Sequence, residues 1–238
     1  TQVARFTPDQ LTHFNDAQLG AITSAQSDSL TTLALSQLSV SQVQAIKPEA
    51  LAAMSGANRI STLSMEQVAG LTTDQVKALT GPQITELTTA QVRELTATQI
   101  AVLDSAQVAS IQTRDLALLT TDQLASISGS AAAGFTVDQV ENLTNDQVEA
   151  LTTSQVASLD GTRIAAFTTA QISHLGTAQT TALSSAQVAA LETKDLVQMT
   201  TTQVNALNVA SLGGLNSSIT NQMASLTSDQ VSALSYDQ

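Results

Sequence analysis

The large apolar residues of this chain recur at every eighth position. From Leu63 to Leu215, each eighth residue is Leu, Ile, Phe or Met. The same frame runs back to Phe6 and forward to Leu234, with one extra residue before Leu63 and three before Leu226. The common unit is Leu-Thr-x-x-Gln-Val-x-Ala, called the octad below, with the large apolar residue at position 0, Gln at position 4 and Val at position 5. The pattern therefore predicts a repeat protein.

Each octad carries a complete helix-start signal. Thr72 followed by Gln75 forms a capping box, in which the Thr oxygen accepts from an early helix N–H and the Gln reaches back to the Thr backbone. The apolar pair Leu71 and Val76 surrounds this box as a hydrophobic staple. The octad therefore predicts a helix of about seven residues, roughly 10 Å long.

Two other structures compete with short helices. In one continuous helix the Leu stripe would advance by about 80° per octad, so it would give no steady buried face. In a β-solenoid, positions 0 and 5 would point to opposite faces of a strand, and Ala and Gln fit strands poorly although Thr fits well. Short helices fit the pattern best. Because a two-turn helix is not stable alone, successive helices must turn at each Leu-Thr and pack on one another. The predicted fold is an all-α solenoid of short capped helices.

A longer period of eighty residues lies over the octads. The segment 112–119 matches 192–199, and both replace the usual Gln by Asp, at Asp115 and Asp195. Gly81 and Gly161 recur at the same spacing. We therefore predict repeat modules at 56–135 and 136–215, with partial modules at 1–55 and 216–238.

Irregular octads rich in Gly, Ala and Ser recur at one place in each module. They lie at 47–58, 128–135 and 208–218 and lack the Thr-x-x-Gln cap. Because Gly permits backbone angles that other residues avoid, we interpret them as module junctions. Residues 2–6 and 235–238 are half octads, so we expect either a segment of a longer array or copies that stack end to end.

Composition excludes several classes of function. The chain has no Cys, so it holds neither disulfides nor thiolate chemistry. Its net charge is −12 with eight Lys plus Arg, the reverse of a nucleic-acid binder. Aromatic residues are 2% of the chain, too few for a base-stacking surface. No stretch of about 18 apolar residues occurs, so we predict no membrane insertion.

The candidates for chemistry all have structural explanations. His13 and His174 occupy the same position of related octads, which duplication explains, and neither has a partner base or ligand set in the sequence. Asp115 and Asp195 are expected to perform the reach-back of the missing Gln. Several acids follow the cap by two residues, where they face the positive end of a helix dipole: Asp74, Asp122, Asp138, Asp146 and Asp229. We predict no catalytic residue, cofactor or metal site, and no enzyme activity; a divalent-cation role for the acids is the alternative.

The phrases LTTDQVKAL (71–79), LTTAQVREL (87–95) and FTTAQISHL (167–175) resemble the Thr/Gln octapeptide arrays of large secreted proteobacterial surface proteins. The resemblance covers nearly the whole chain and carries over no functional residues. It implies export to the extracellular space or cell surface. The expected function is a structural part of a fibre, surface layer or adhesin, with copies of itself as partners. The alternatives are a binding solenoid for a glycan or peptide, and contact with ice or mineral through rows of Thr.

Overall fold

The computed structural model describes residues 6–54, 58–215 and 222–238. Over these residues the chain is all-helical, with no β-strand, and its α-helices are four to six residues long. They follow one another in a regular series, which confirms the predicted helical solenoid. The chain divides into two compact units, Thr1–Leu119 and Thr120–Gln238.

The first unit contains twelve α-helices among its described residues. They are α1 (Pro8–Thr12), α2 (Asp16–Gly20), α3 (Thr32–Gln37), α4 (Val40–Ala45), α5 (Pro48–Ala52), α6 (Met65–Ala69), α7 (Thr73–Ala78), α8 (Gly81–Glu86), α9 (Thr89–Glu94), α10 (Ala97–Ile100), α11 (Ser105–Ser110) and α12 (Thr113–Leu116). Two octads form 3₁₀ helices instead, at Ser24–Ser29 and Ile60–Thr62.

The second unit continues the same series. Its helices are α13 (Thr121–Ser126), α14 (Gly129–Ala132), α15 (Val137–Glu141), α16 (Asn145–Ala150), α17 (Thr153–Ser158), α18 (Gly161–Ala165), α19 (Thr169–Ser173), α20 (Thr177–Thr181), α21 (Ser185–Ala190), α22 (Thr193–Gln198), α23 (Thr201–Ala206), α24 (Val209–Leu212), α25 (Gln222–Ser225) and α26 (Ser228–Ala233).

The helices begin where the capping boxes predict. At α9 the Thr88 hydroxyl oxygen accepts from the Gln91 N–H at 3.3 Å, and Gln91 Oε1 accepts from the Thr88 N–H at 2.8 Å. Helix α9 ends at Glu94 because the next residue, Leu95, takes extended backbone angles, φ −59° and ψ 126°. Thr96 is extended as well, at φ −71° and ψ 156°. Two extended residues thus form the corner between consecutive helices.

Three helices make one turn of the solenoid. In the first unit, α6 packs on α9, α7 on α10 and α8 on α11; in the second unit, α13 packs on α16 and α14 on α17. Stacked helices begin 24 residues apart, as Thr73 and Ala97 do. The coil is therefore three octads long, a number that the period of eight left open.

Positions 0 and 5 form the core of each coil. Val76 is fully buried, and the staple residue Leu71 is 5% exposed. The same burial holds at Val156 and Leu151 in the second unit. In the interior coils these side chains face inward, so each of those coils buries its apolar residues against the coils above and below it.

The irregular octads alter the helix locally. Asn58 lies within the stretch of sequence 55–62 that was predicted to contain one extra residue, and it has a left-handed φ of 68°, which Asn tolerates better than most residues. Gly129 begins α14 where a Cβ would lie 2.9 Å from the Ser154 carbonyl oxygen, so Gly permits close packing on α17. Of the predicted junctions, residues 55–57 and 216–218 lie outside the described residues, as do residues 1–5. The module boundaries stay predictions.

Candidate functional site

The most distinctive group in this protein is the side-chain amide at octad position 4, which we call the corner amide. Gln99 shows its geometry. Its Oε1 accepts from the Thr96 N–H at 2.8 Å, which is the capping contact. Its Nε2 donates to the carbonyl oxygens of the preceding coil, with Leu71 at 2.8 Å, Val68 at 3.0 Å and Ala69 at 3.2 Å. The residue is 2% exposed.

The corner amide satisfies backbone groups of two different helices. The start of an α-helix leaves N–H groups without partners, and its end leaves C=O groups without partners. Gln99 accepts from an N–H at the start of α10 and donates to carbonyls at the end of α6. One uncharged side chain therefore caps a helix and joins it to the coil beneath. The sequence predicts the capping contact, and only the structure shows the contact between coils.

The same arrangement recurs along both units. In the second unit Gln155 is fully buried; it accepts from the Thr152 N–H at 2.7 Å and donates to the carbonyls of Leu124 and Ile127, both at 2.8 Å. The residues that make both contacts include Gln42, Gln67, Gln75, Gln83, Gln91 and Gln107 in the first unit, and Gln171, Gln179, Gln187, Gln203 and Gln230 in the second.

Other side chains at position 4 preserve the donor. Arg163 donates from Nε to the Phe135 carbonyl, and Ser211 donates from Oγ to the Leu183 carbonyl, both 28 residues earlier. Arg59 donates from Nη1 to the Leu30 carbonyl, 29 residues earlier. Because Arg and Ser differ in size and charge, the property that they share with Gln is a hydrogen-bond donor above the carbonyl at the corner.

Asp115 and Asp195 do not perform the predicted reach-back to their own helix caps, so that prediction is wrong. Their helices begin at the caps Gln112 and Glu192, whose side chains make no capping bond, and no capping box forms at either. Asp115 Oδ1 instead accepts from the Thr89 hydroxyl at 2.6 Å, in the coil beneath. Asp195 Oδ1 accepts from the Thr169 hydroxyl, also at 2.6 Å. Asp is one methylene shorter than Gln, and a carboxylate has no N–H to donate to a carbonyl.

The Asp115 carboxylate is poorly satisfied for a buried group. The residue is 1% exposed, and Arg114 Nε lies 3.3 Å from Oδ1, although the Arg114 side chain is largely exposed. Oδ2 is buried and has no hydrogen-bond partner among the described residues. A buried acceptor without a partner costs free energy, so this corner is weaker than one that holds an amide.

Replacing Asp115 by Gln is expected to raise the free energy of unfolding by about 1–2 kcal/mol, because Gln restores a donor at this corner and removes an unpaired acceptor. Denaturant unfolding of the full chain followed by circular dichroism measures the change. Asp195→Gln is the equivalent change in the second unit. The exposed Asp122→Gln is the charge-matched control, expected to alter stability by less than about 0.5 kcal/mol. A less stable Asp115→Gln variant would contradict this account of the corner.

The two histidines belong to different units. His13 ends α1 and His174 ends α19, and both side chains are exposed. His13 Nδ1 is 2.8 Å from the Asp9 carbonyl oxygen. Over the described residues, no group of three His, Asp or Glu side chains is placed to hold a metal ion.

The charged side chains lie mainly on the surface. The acids predicted at helix starts are exposed in the first turns of their helices: Asp74, Asp122, Asp138, Asp146 and Asp229. A hydrogen bond with Glu192, and then the Glu192 charge, raises the pKa of the exposed Lys194. Neither unit, over its described residues, contains a pocket. None of the described helices is long and apolar enough to cross a membrane.

Repeated short helices, a coil of three octads and an amide at most of the corners define a helical repeat protein. The family model described as ALTTAQ repeat matches the chain twice, at residues 164–193 and 188–218, both in the second unit. A search of curated proteins found no match. The architecture and the family match together indicate a structural repeat protein.

Proposed function

We propose that this chain is a structural repeat region of an extracellular fibre, surface layer or adhesin, in which stacked coils supply length. The corner amide carries the proposal. At corners such as those of Gln99 and Gln155, the buried polar side chain bonds its own helix and the coil beneath. Each coil is thus stabilised by its neighbours, which is the energetic property of a solenoid that can be lengthened by adding repeats.

The described surface also supports a structural role. In the interior coils the amide at position 4 bonds to the neighbouring coil, and the residues at positions 0 and 5 are buried in the core. The outward positions carry mostly Thr, Ser, Ala and acids, as in the segments 72–74 and 144–146. Small polar side chains of this kind are suited to a structural element that spans a distance. The resemblance of the octads to secreted surface arrays is the reason for placing the chain outside the cell.

Length is tested by adding one coil. The segment 72–95 is duplicated directly after Leu95, and small-angle X-ray scattering measures the largest dimension of the purified chain. We expect an increase of about 8–10 Å, the distance between packed helices. The control carries a Gly/Ser insertion of the same length at the same place, which forms a loop and adds no coil. An equal dimension for both variants would refute the role in length.

Location is tested separately on source cells. An antibody raised against residues 120–238 is applied to intact cells and detected by immunogold electron microscopy. We expect label at the cell surface that is lost after brief protease treatment of intact cells. Label confined to the interior of lysed cells would refute the extracellular placement and leave the length measurement standing.

A further inference from the structure

The coil at residues 191–214, called the weak coil below, has fewer corner amides than the coil beneath it, at residues 167–190. In that lower coil the residues at position 4 are Gln171, Gln179 and Gln187. Each of these three amides donates to two or three carbonyl oxygens of the preceding coil, at 2.6–3.3 Å. The lower coil is therefore bound to its neighbour at all three of its corners.

Only one corner of the weak coil holds a complete corner amide. Gln203 donates from Nε2 to two carbonyl oxygens of the coil beneath, at 2.8 and 2.7 Å. Ser211, at the next corner, makes one bond of this kind, from its hydroxyl to the Leu183 carbonyl. Thr181 adds two bonds between the same coils, but both are exposed, so water competes for the groups that form them.

The corner of Asp195 lacks both contacts of a corner amide. No capping box forms at the start of its helix, α22. The carboxylate accepts from the Thr169 hydroxyl and has no N–H to donate. Over the part of the chain that the structure describes, no side chain donates to the Phe167 carbonyl, which precedes Asp195 by the same 28 residues that separate other corner amides from their acceptors. This corner therefore contributes least to the contact between the two coils.

The pattern recurs in the first unit. The coil at residues 30–53 carries Ala34, Gln42 and Ala50 at position 4, and the two Ala side chains have no donor. Gln42 makes the complete contact, to two carbonyl oxygens of the preceding coil at 2.7 and 2.8 Å. In both coils the middle corner alone keeps its amide. The same order of residues appears a third time in the sequence, eighty residues before the weak coil, at Asp115, Gln123 and Ala131.

We propose that the weak coil opens first when the solenoid is pulled along its stack of coils, so that a fibre built from these modules stretches before it breaks. The bonds of the corner amides run from one coil to the next, so they resist the separation of coils. Stacked coils bear the same tension, and the contact with the fewest buried bonds separates first. The inference rests on the proposed structural function and specifies how that structure responds to tension.

The opening of one coil lengthens the chain by a large factor. A folded coil occupies about 8–10 Å of the stack, the distance between packed helices. Its three octads reach about 80 Å when they are extended. Opening the weak coil therefore adds about 70 Å, while coils with three complete corner amides stay folded.

Two matched tethers test which contact opens first. The chain has no Cys, so a pair of introduced Cys residues defines where DNA handles are attached for optical tweezers. Thr162→Cys with Ala186→Cys spans the contact beneath the lower coil, and Ala186→Cys with Ala210→Cys spans the contact beneath the weak coil. All three positions are exposed, occupy position 3 of their octads and are separated by 24 residues. We expect the 186–210 tether to open at the lower force, with a step of about 70 Å.

Two substitutions then exchange the corners. Asp195→Gln supplies the missing donor and is expected to slow the opening of the 186–210 tether at fixed force by about tenfold or more. Gln179→Asp places a carboxylate 26 residues after Thr153, the spacing of Asp195 and Thr169, and should speed the opening of the 162–186 tether by a similar factor. Asp146→Gln, an exposed change outside both tethers, is the control and should alter neither rate.

Three results would overturn the weak coil: equal opening forces for the two tethers, an Asp195→Gln tether that opens as fast as its parent, or a Gln179→Asp tether that opens no faster than its parent. The parent tethers change no corner, so their comparison stands even where a corner variant folds poorly. Equal opening forces, together with a chain that lengthens when a coil is added, refute the weak coil alone and leave the proposed function intact.

Discussion

Replacing Gln155 by Ala is expected to lower the free energy of unfolding by about 3 kcal/mol or more, since each buried polar group left without a partner costs about 1–3 kcal/mol. The change leaves three backbone groups without their side-chain partner: the Thr152 N–H and the carbonyls of Leu124 and Ile127. Gln155 is fully buried, so water cannot replace the amide without entering the core. Denaturant unfolding of the full chain followed by circular dichroism provides the measurement.

Two further variants separate the stability that comes from the capping contact from the stability that comes from the contact between coils. Gln155→Glu keeps an acceptor for the Thr152 N–H and removes the donor between coils, so it is expected to lose most of the same stability. Gln10→Ala removes only a capping contact, because Gln10 has no coil beneath it among the described residues, and is expected to cost about 1 kcal/mol. Equal losses at Gln10 and Gln155 would show that the amide acts only as a cap.

Leu87→Asp is expected to destabilise the first unit by several kcal/mol, because it places a carboxylate at a core position that is 2% exposed. Leu87 also ends α8 and precedes the cap Thr88, so its loss opens the hydrophobic staple of α9. The expected result is an earlier unfolding transition and loss of helical circular dichroism.

The matched control is Leu33→Asp, the same chemical change on an exposed side chain. Leu33 is 56% exposed and lies in the first turn of α3, where a negative charge faces the positive end of the helix dipole. We expect its stability to stay within about 0.5 kcal/mol of the native chain. If Leu87→Asp were tolerated as well as Leu33→Asp, position 0 would not form the core.

The features that the sequence predicts correctly are local ones. The capping box of Thr72 and Gln75 spans three residues, so the residues that make the contact can be read directly from the chain. The staple of Leu71 and Val76 spans five, and both are buried. Helix starts, helix ends and the inward-facing positions follow from interactions within one octad, and eight residues of sequence contain all of them.

The prediction for Asp115 failed because its partner is distant in sequence. We assigned the carboxylate to its own helix cap, as for a Gln, yet it accepts from Thr89, 26 residues earlier. A signal for this pair existed, because Thr169 and Asp195 repeat the same two residues eighty positions later. A repeated pair identifies a contact only once the length of the coil is known.

By itself, the sequence determined the helices, their caps and the side of each helix that is buried, because those depend on contacts a few residues apart. Tertiary structure decided that three octads close one coil, since that number depends on how helices pack and not on how each one starts. It also decided the second function of the corner amide, whose carbonyl partners lie 28 to 31 residues earlier at Gln99 and Gln155. Nothing within one octad encodes that distance, because the same Gln can cap its helix whatever lies beneath it.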